Sequence, residues 1–230
     1  MSQTTRHSAQ HDLSQTDAQH TTQVTLGKSI QKTHTANVKN AFNHPLETGD
    51  VVNVNVTTSI GTEISVEKLA DDLNWATVDR STAVGFGELS FEDTPGTARL
   101  YNTGTIVLVG VTTDTEIIDL IKRVHEALRG IGVKTEWCDL EMKNIVVEFP
   151  TVTPDGNGVN LPAAQIAIDE LEYEPEHFSG AVYRENTDST CLLFSTGTVI
   201  VQGTETTLEA VQRRQALINT LETYGLINEQ

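Results

Sequence analysis

Seven histidines and two cysteines are the side chains of this chain best fitted to nucleophilic, acid–base or metal chemistry, and their placement supports none of it. Five histidines (His7, His11, His20, His34, His44) fall at irregular spacing near the start of the chain, whereas a metal ion wants a rigid, closely spaced ligand set. His125 lies in a helical pattern and His177 in a loop pattern, each read as a surface residue without the nucleophile and orienting group that a catalytic set needs. No glycine loop of the phosphate-cradling kind is present. No metal, cofactor or enzymatic activity is therefore expected. Cys138 and Cys191, with no signal peptide ahead of them, read as free thiols in a reducing cytoplasm. No apolar run approaches the ~18 residues of a membrane span, so no membrane association is expected.

The remaining chemistry is that of recognition. Asn53 and Asn144 each stand in a strand-like stretch, "VVNVNVTTSIG" and "MKNIVVEF". A side-chain amide held on a strand can donate to an acceptor on a partner, or it can simply face water, as is expected of Asn55. Which of these holds depends on the elements around the two asparagines.

Those elements occur twice. "NTGTIVLVG" at 102–110 returns as "STGTVIVQG" at 195–203. In the first unit, alternation sends Val52, Val54 and Val56 to one face of a strand and Asn53, Asn55 and Thr57 to the other. A short helix, "VEKLADDL", follows Ser65 as its cap. Two hairpin strands, "TAVGFGELSF" and "TARLYNTG", meet at "EDTPG". The strand "TIVLVGV" then leads into a helix over 114–129 with Ile117, Ile121, Val124 and Leu128 on one stripe, stopped by Gly130 and Gly132. The second unit repeats the order: "MKNIVVEF", the helix "LPAAQIAIDEL", "SGAVYRE", "STCLLFSTG", "TVIVQG", and a helix over 207–224 with Leu208, Val211, Leu217, Ile218 and Leu221 inward. Such an internal repeat sets the architecture. Residues 1–48, rich in Gln, Thr, Ser and His, lack the large apolar residues needed to offset ordering entropy and read as a disordered polar tail. The two repeats span 49–140 and 141–227.

In "TIVLVG", Ile106 and Leu108 point one way while Val107 and Val109 point the other, so this strand is apolar on both sides. The second copy does the same with Val199 and Val201 against Ile200, and Leu192 or Leu193 and Phe194 add to it. An antiparallel sheet covered on one face usually turns polar residues to the other. Three coverings satisfy the pattern: a second copy of the chain, the tail, or the minor groove of A·T-rich DNA. The floor of that groove offers only acceptors to Asn53 and Asn144, and small neighbours such as Val146 would fit it.

The run "YEPEHFSGAVYR", "LLFSTG", "VIVQG", with the joint "IGVKTEWCDLEMKNIV", resembles TATA-box-binding proteins over residues 50–227. The resemblance implies an α+β fold in which two tandem repeats form one curved antiparallel sheet, a saddle with helices on its convex face. It also implies a transcription initiation factor that binds and bends promoter DNA through the minor groove. Its convex helices would meet a transcription factor B-like protein. Carried onto this chain, the intruding aromatics of the second repeat are Phe178 and Phe194, and Tyr101 takes one such place in the first. Val107, Val109, Leu192 and Ile200 join them on the groove side. Unstacking a base step costs a few kcal/mol, offset by the surface that the bent duplex then covers.

The pattern departs from the family mainly in the first repeat. The other aromatic place falls in Arg80–Val84, which holds no aromatic, leaving Phe86 or Phe91 as substitutes. Thr105 and Thr198 replace the family's lysine, Val109 and Gln202 its threonine, and Arg99 an aliphatic contact. Arg184 has either a phosphate or a structural partner. An asymmetric binder anchored by repeat two is expected, or else a saddle that has lost DNA binding and acts as a protein-interaction module or regulator. The net charge of −17 falls entirely on residues 51–230, as the first 50 hold four acids and four bases. Such a surface suits a salt-adapted host, where apolar burial outlasts phosphate attraction.

Overall fold

The computed structural model describes residues 34–73, 76–79, 85–153, 158–185 and 187–227. The alternation of the first strand becomes β1 (Asp50–Ser59), and its counterpart becomes β6 (Glu141–Phe149). Between them come β2 (Thr77–Asp79), β3 (Phe86–Phe91), β4 (Thr94–Leu100) and β5 (Thr105–Val111). After β6 come β7 (Leu171–Glu172), β8 (Ala181–Tyr183), β9 (Thr190–Leu193) and β10 (Val199–Thr204). All ten join one sheet in the order β2-β3-β4-β5-β1-β6-β10-β9-β8-β7, each pair antiparallel. The order is its own mirror image about the β1/β6 pair, which the duplicated sequence demands.

The helices repeat as well. Two short ones, α2 (Val66–Asp72) and α4 (Leu161–Ala167), are capped by Ser65 and Asn160, whose side chains accept from Lys68 N and Ala163 N. The two long ones, α3 (Asp114–Gly130) and α5 (Thr207–Thr223), start at Thr113 and Thr206, each accepting from the N–H of a glutamate three residues on. Glu116 completes the exchange by accepting from Thr113 N at 3.2 Å, and Glu209 accepts from Glu205 N at 2.8 Å. A cap of this kind contributes about 1 kcal/mol.

A continuous core lies between the sheet and these helices. Val54, Val56, Ile106 and Leu108 meet Ile117, Leu120, Ile121, Val124 and Leu128 of α3 in the first half; Ile145, Val147, Val199 and Val201 meet Ala210, Leu217, Ile218 and Leu221 of α5 in the second. Every one of these side chains is fully or almost fully buried. The opposite face of the sheet carries Asn53, Asn55, Val107, Val109, Asn144, Val146, Leu192 and Ile200, all half-exposed.

Three expectations need correction. Val52 does not share a face with Val54 and Val56; it is 44% exposed, because the pairing with β6 slips between Val51 and Asn53 and throws Val52 out as a bulge. Lys143 is displaced in the same way where the pairing slips from Asn144 to Met142. Leu208 is 44% exposed in the first turn of α5, with Thr207 buried in its place. Lastly, the end of the polar tail is ordered: α1 (Ala36–Ala41) buries Val38 and Ala41 against the core, with Phe42 and Leu46 packed beside them. Thr207 Oγ1 donates to His44 O at 2.8 Å, and the ring of His34 bonds Asp139 at 2.5 Å. The segment borrows a core that it could not build itself. Residues 1–33 lie outside the described residues.

Candidate nucleic-acid interface

At the centre of the open face, Asn53 stands across from Val146 and Asn55 across from Asn144. Their neighbours fix two of the amides. After β5 and β10 reach Val109 and Gln202, each chain turns through a glycine with positive φ, Gly110 (72°) and Gly203 (82°). The N–H of Gly110 donates to Asn53 Oδ1 at 3.3 Å, and that of Gly203 donates to Asn144 Oδ1 at 2.7 Å. A backbone N–H requires an acceptor, so each amide turns its oxygen toward the glycine and its NH₂ away from it. The fold thus presents a donor at corresponding places in both halves. The glycines were legible only as strand ends; their latching of the asparagines was not.

Outward from the centre, a row of paired side chains crosses each half. In the second half it reads Glu148, Ile200, Leu192, Val182. In the first it reads Thr57, Val107, Arg99, Glu88. Val109, paired with Thr97, lies one row over.

At the outer end of the second half, Phe178 and Phe194 meet edge to face with ring centroids 5.7 Å apart, and Phe178 is 38% exposed. Both rings lie over Gly180, where a Cβ would stand 2.8 Å from Phe178 Cε1 and 3.1 Å from Phe194 Cε1. Phe194 is carried by a turn in which Gly197 N donates to Phe194 O and Phe194 N donates to Thr198 O. Tyr101 sits in the same turn of the first half, with Gly104 N donating to Tyr101 O and Tyr101 N to Thr105 O.

The first half keeps an aromatic pair by another route. The Arg80–Val84 position lies outside the described residues. Phe86, which precedes the Gly87–Leu100 pair as Gly180 precedes the Ala181–Leu193 pair, lies 5.7 Å from the Tyr101 ring. It is only 7% exposed, since the Arg99 guanidinium lies over its ring at 5.1 Å. Phe91 packs instead against the core. Arg99 is further held by Glu88, Nε to Oε1 at 3.1 Å. Sequence reading missed Glu88 altogether.

Elsewhere, Arg184 bonds Glu172 at 3.1 Å, giving it a structural partner. The hydroxyls of Thr105 and Thr198 bond Thr103 and Thr196 at 2.9 Å each. No group of three or more metal-ligating side chains occurs among the described residues, nor is any helix there long and apolar enough to cross a membrane.

Comparison with known proteins gives a consistent picture. The family model described as "Transcription factor TFIID (or TATA-binding protein, TBP)" matches residues 139–224, all but the first two of which fall in the second half. The TATA-box-binding protein of Haloarcula marismortui is 29% identical over 188 residues, 80% of this chain and 98% of that one. That of Pyrococcus abyssi is 30% identical over 142 residues, 61% of this chain and 72% of that one. Among solved structures, Methanococcus jannaschii TBP superposes with a TM-score of 0.68 at 23% identity, covering 76% of this chain and 99% of that one.

Proposed function

The chain belongs to the TATA-box-binding protein family, and from that premise we propose that it is a transcription initiation factor whose open face binds and bends A·T-rich promoter DNA through the minor groove. The observation that carries this reading is the pair of latched amides. Asn53 and Asn144 give up their oxygens to Gly110 and Gly203 and so turn donors toward the open face. The minor-groove floor of A·T pairs consists of acceptors alone. Around the amides, Val107, Val109, Val146, Leu192 and Ile200 supply apolar contact for the sugar walls. Phe178 and Phe194 provide the wedge. Residues 49–140 and 141–227 act as two repeats of one saddle, with the second as anchor. On the helical side, the surface would receive a transcription factor B-like protein. The role is non-enzymatic and cytoplasmic, in a salt-adapted host.

The test is a gel-shift titration in molar potassium chloride, with an A·T-rich duplex carrying dyes at both ends to report bending. Binding with bending is expected. Phe194→Ala should lose about tenfold or more of the affinity, because a buried phenylalanine contributes ~1.5–3 kcal/mol. Tyr101→Ala should lose less; equal losses would contradict the anchoring role of the second repeat.

A second reading, a saddle that binds only proteins, draws on one observation: Phe86 is sealed beneath Arg99 in the first half. Failure of A·T-rich duplex to raise the melting temperature in molar potassium chloride would favour it.

A further inference from the structure

The two rows that cross the open face differ most at their outer positions. Where the second half has Leu192 and Val182, the first has Arg99 and Glu88, bonded to each other at 3.1 Å with side chains 41% and 31% exposed. An ion pair this exposed contributes little to stability, and the cover that Arg99 gives the Phe86 ring does not require a carboxylate beside it, so folding does not account for Glu88 on this row. If DNA covers the row, both groups lose water and need partners of the right sense. The minor-groove floor limits what those partners can be. A·T pairs in either orientation offer only acceptors, and the single donor in the groove is the N2 amino group of guanine.

A carboxylate over an A·T pair would face lone pairs on both strands. Over a G·C pair it accepts from guanine N2, while the remaining N–H groups of Arg99 donate to adjacent acceptors. The pair is neutral as a unit, so it enters the groove without setting a net negative charge against the phosphates. The carboxylates of the corresponding row in the second half are placed differently. Glu148 is exposed and stands across from Asp50 and Ile200. Glu172, bonded to Arg184, lies beyond Val182 on the edge strand with the two side chains 74% and 57% exposed, one strand farther from the centre than Glu88.

We propose that the Glu88–Arg99 pair makes the first half of the saddle select a G·C base pair, so that the preferred site is divided, A·T-rich under the second half and interrupted by guanine under the first. This rests on the DNA-binding reading above. It assigns Glu88 and Arg99 as specificity-determining residues.

The experiment uses the full chain in molar potassium chloride and fluorescence anisotropy with three sets of duplexes. One is wholly A·T; in the second a single G·C pair is placed at each position in turn; in the third inosine replaces that guanine, removing only the N2 amino group. At one position the guanine duplex should bind about tenfold tighter than its inosine twin, the discrimination expected of one well-met base edge. The double variant Glu88→Val/Arg99→Leu, checked for folding by circular dichroism, should lose that preference and favour the A·T duplex. Inosine bound as tightly as guanine at every position overturns the proposal and leaves DNA binding standing, as does a folded variant that keeps the guanine preference. The inosine comparison decides with the unaltered chain even where the variant does not fold. Failure to bind any duplex overturns both this proposal and the reading beneath it.

Discussion

Asn144 does two things with one amide, and they can be separated. Its oxygen satisfies the N–H of Gly203 at 2.7 Å, which holds the end of β10, while its NH₂ is turned away from that glycine and, on the proposed reading, serves as the outward donor. Asn144→Asp keeps an acceptor for the glycine but removes the outward donor. The variant should melt near the wild type yet bind A·T-rich duplex about tenfold more weakly, whereas Asn144→Ala should lose both stability and binding. A second single-residue effect lies in the core. His125, expected at the surface, is instead only 2% exposed: it stacks on Trp137 with ring centroids 4.4 Å apart, and its Nδ1 is buried without a hydrogen-bond partner. Burial first, and Arg129 second, lower its pKa from 6.5 to about 4. The unfolded chain takes up a proton near 6.5 that the folded chain refuses until about 4. This contribution to stability is therefore complete above pH 6.5 and is lost as pH falls toward 4, by roughly 3 kcal/mol at most. Thermal unfolding between these limits should show a steeper acid loss for the wild type than for His125→Phe, which keeps the stack and cannot titrate.

At the scale of elements, legibility followed locality. The cap at Ser65, the starts of the two long helices near Asp114 and Thr207 and the strands bearing Asn53 and Asn144 could be read directly, because a cap, a stripe or an alternation is fixed within a few residues, whereas the caps at Thr113 and Thr206 emerged only with the structure. Two kinds of feature could not be read in this way. Bulges at Val52 and Lys143 arise from a mismatch between paired strands and leave no mark on either strand alone. The helix α1 was hidden for a related reason: Val38 and Ala41 make a stripe too short to signal a helix, and only the socket against β6 and α3 gives them somewhere to go. The site was legible to the same degree. Phe178 and Phe194 stood out by resemblance and Phe86 as one of two substitutes, while strand register was needed to set Phe86 rather than Phe91 beside Tyr101, and a partner on the next strand to bring Glu88 to Arg99. If α1 is held by that socket, Val38→Ala should cost about 2 kcal/mol, since Val38 is 0% exposed, and Asn37→Ala on the exposed side almost nothing. Melting temperatures of the two variants would check this, and equal values would mean that α1 does not depend on its buried side chain.

The whole molecule must bring a net charge of −17 against a polyanion. Phosphate contacts from lysine or arginine would normally drive such an approach, at the cost of a steep dependence on salt: each contact adds about −0.9 to the slope of log affinity against log salt. Among the described residues, the cations on the open face are few and engaged. Arg99 is paired with Glu88, Arg184 with Glu172, and Thr105 and Thr198 stand where resemblance leads one to expect lysine. On the proposed reading what remains is apolar burial over Val107, Val146, Ile200 and the phenylalanines, which concentrated salt would strengthen or leave intact, while it also screens the repulsion between the acidic protein and DNA. Affinity for A·T-rich duplex should therefore stay level or rise as potassium chloride is increased through the molar range. The double variant Thr105→Lys/Thr198→Lys should gain affinity at low salt and acquire a slope more negative by roughly 1.8, two contacts' worth. Titrations at a series of salt concentrations measure both slopes. A wild-type slope as steep as that of an ordinary lysine-rich DNA-binding protein would mean that phosphate contacts, and not the apolar floor of the saddle, hold the duplex.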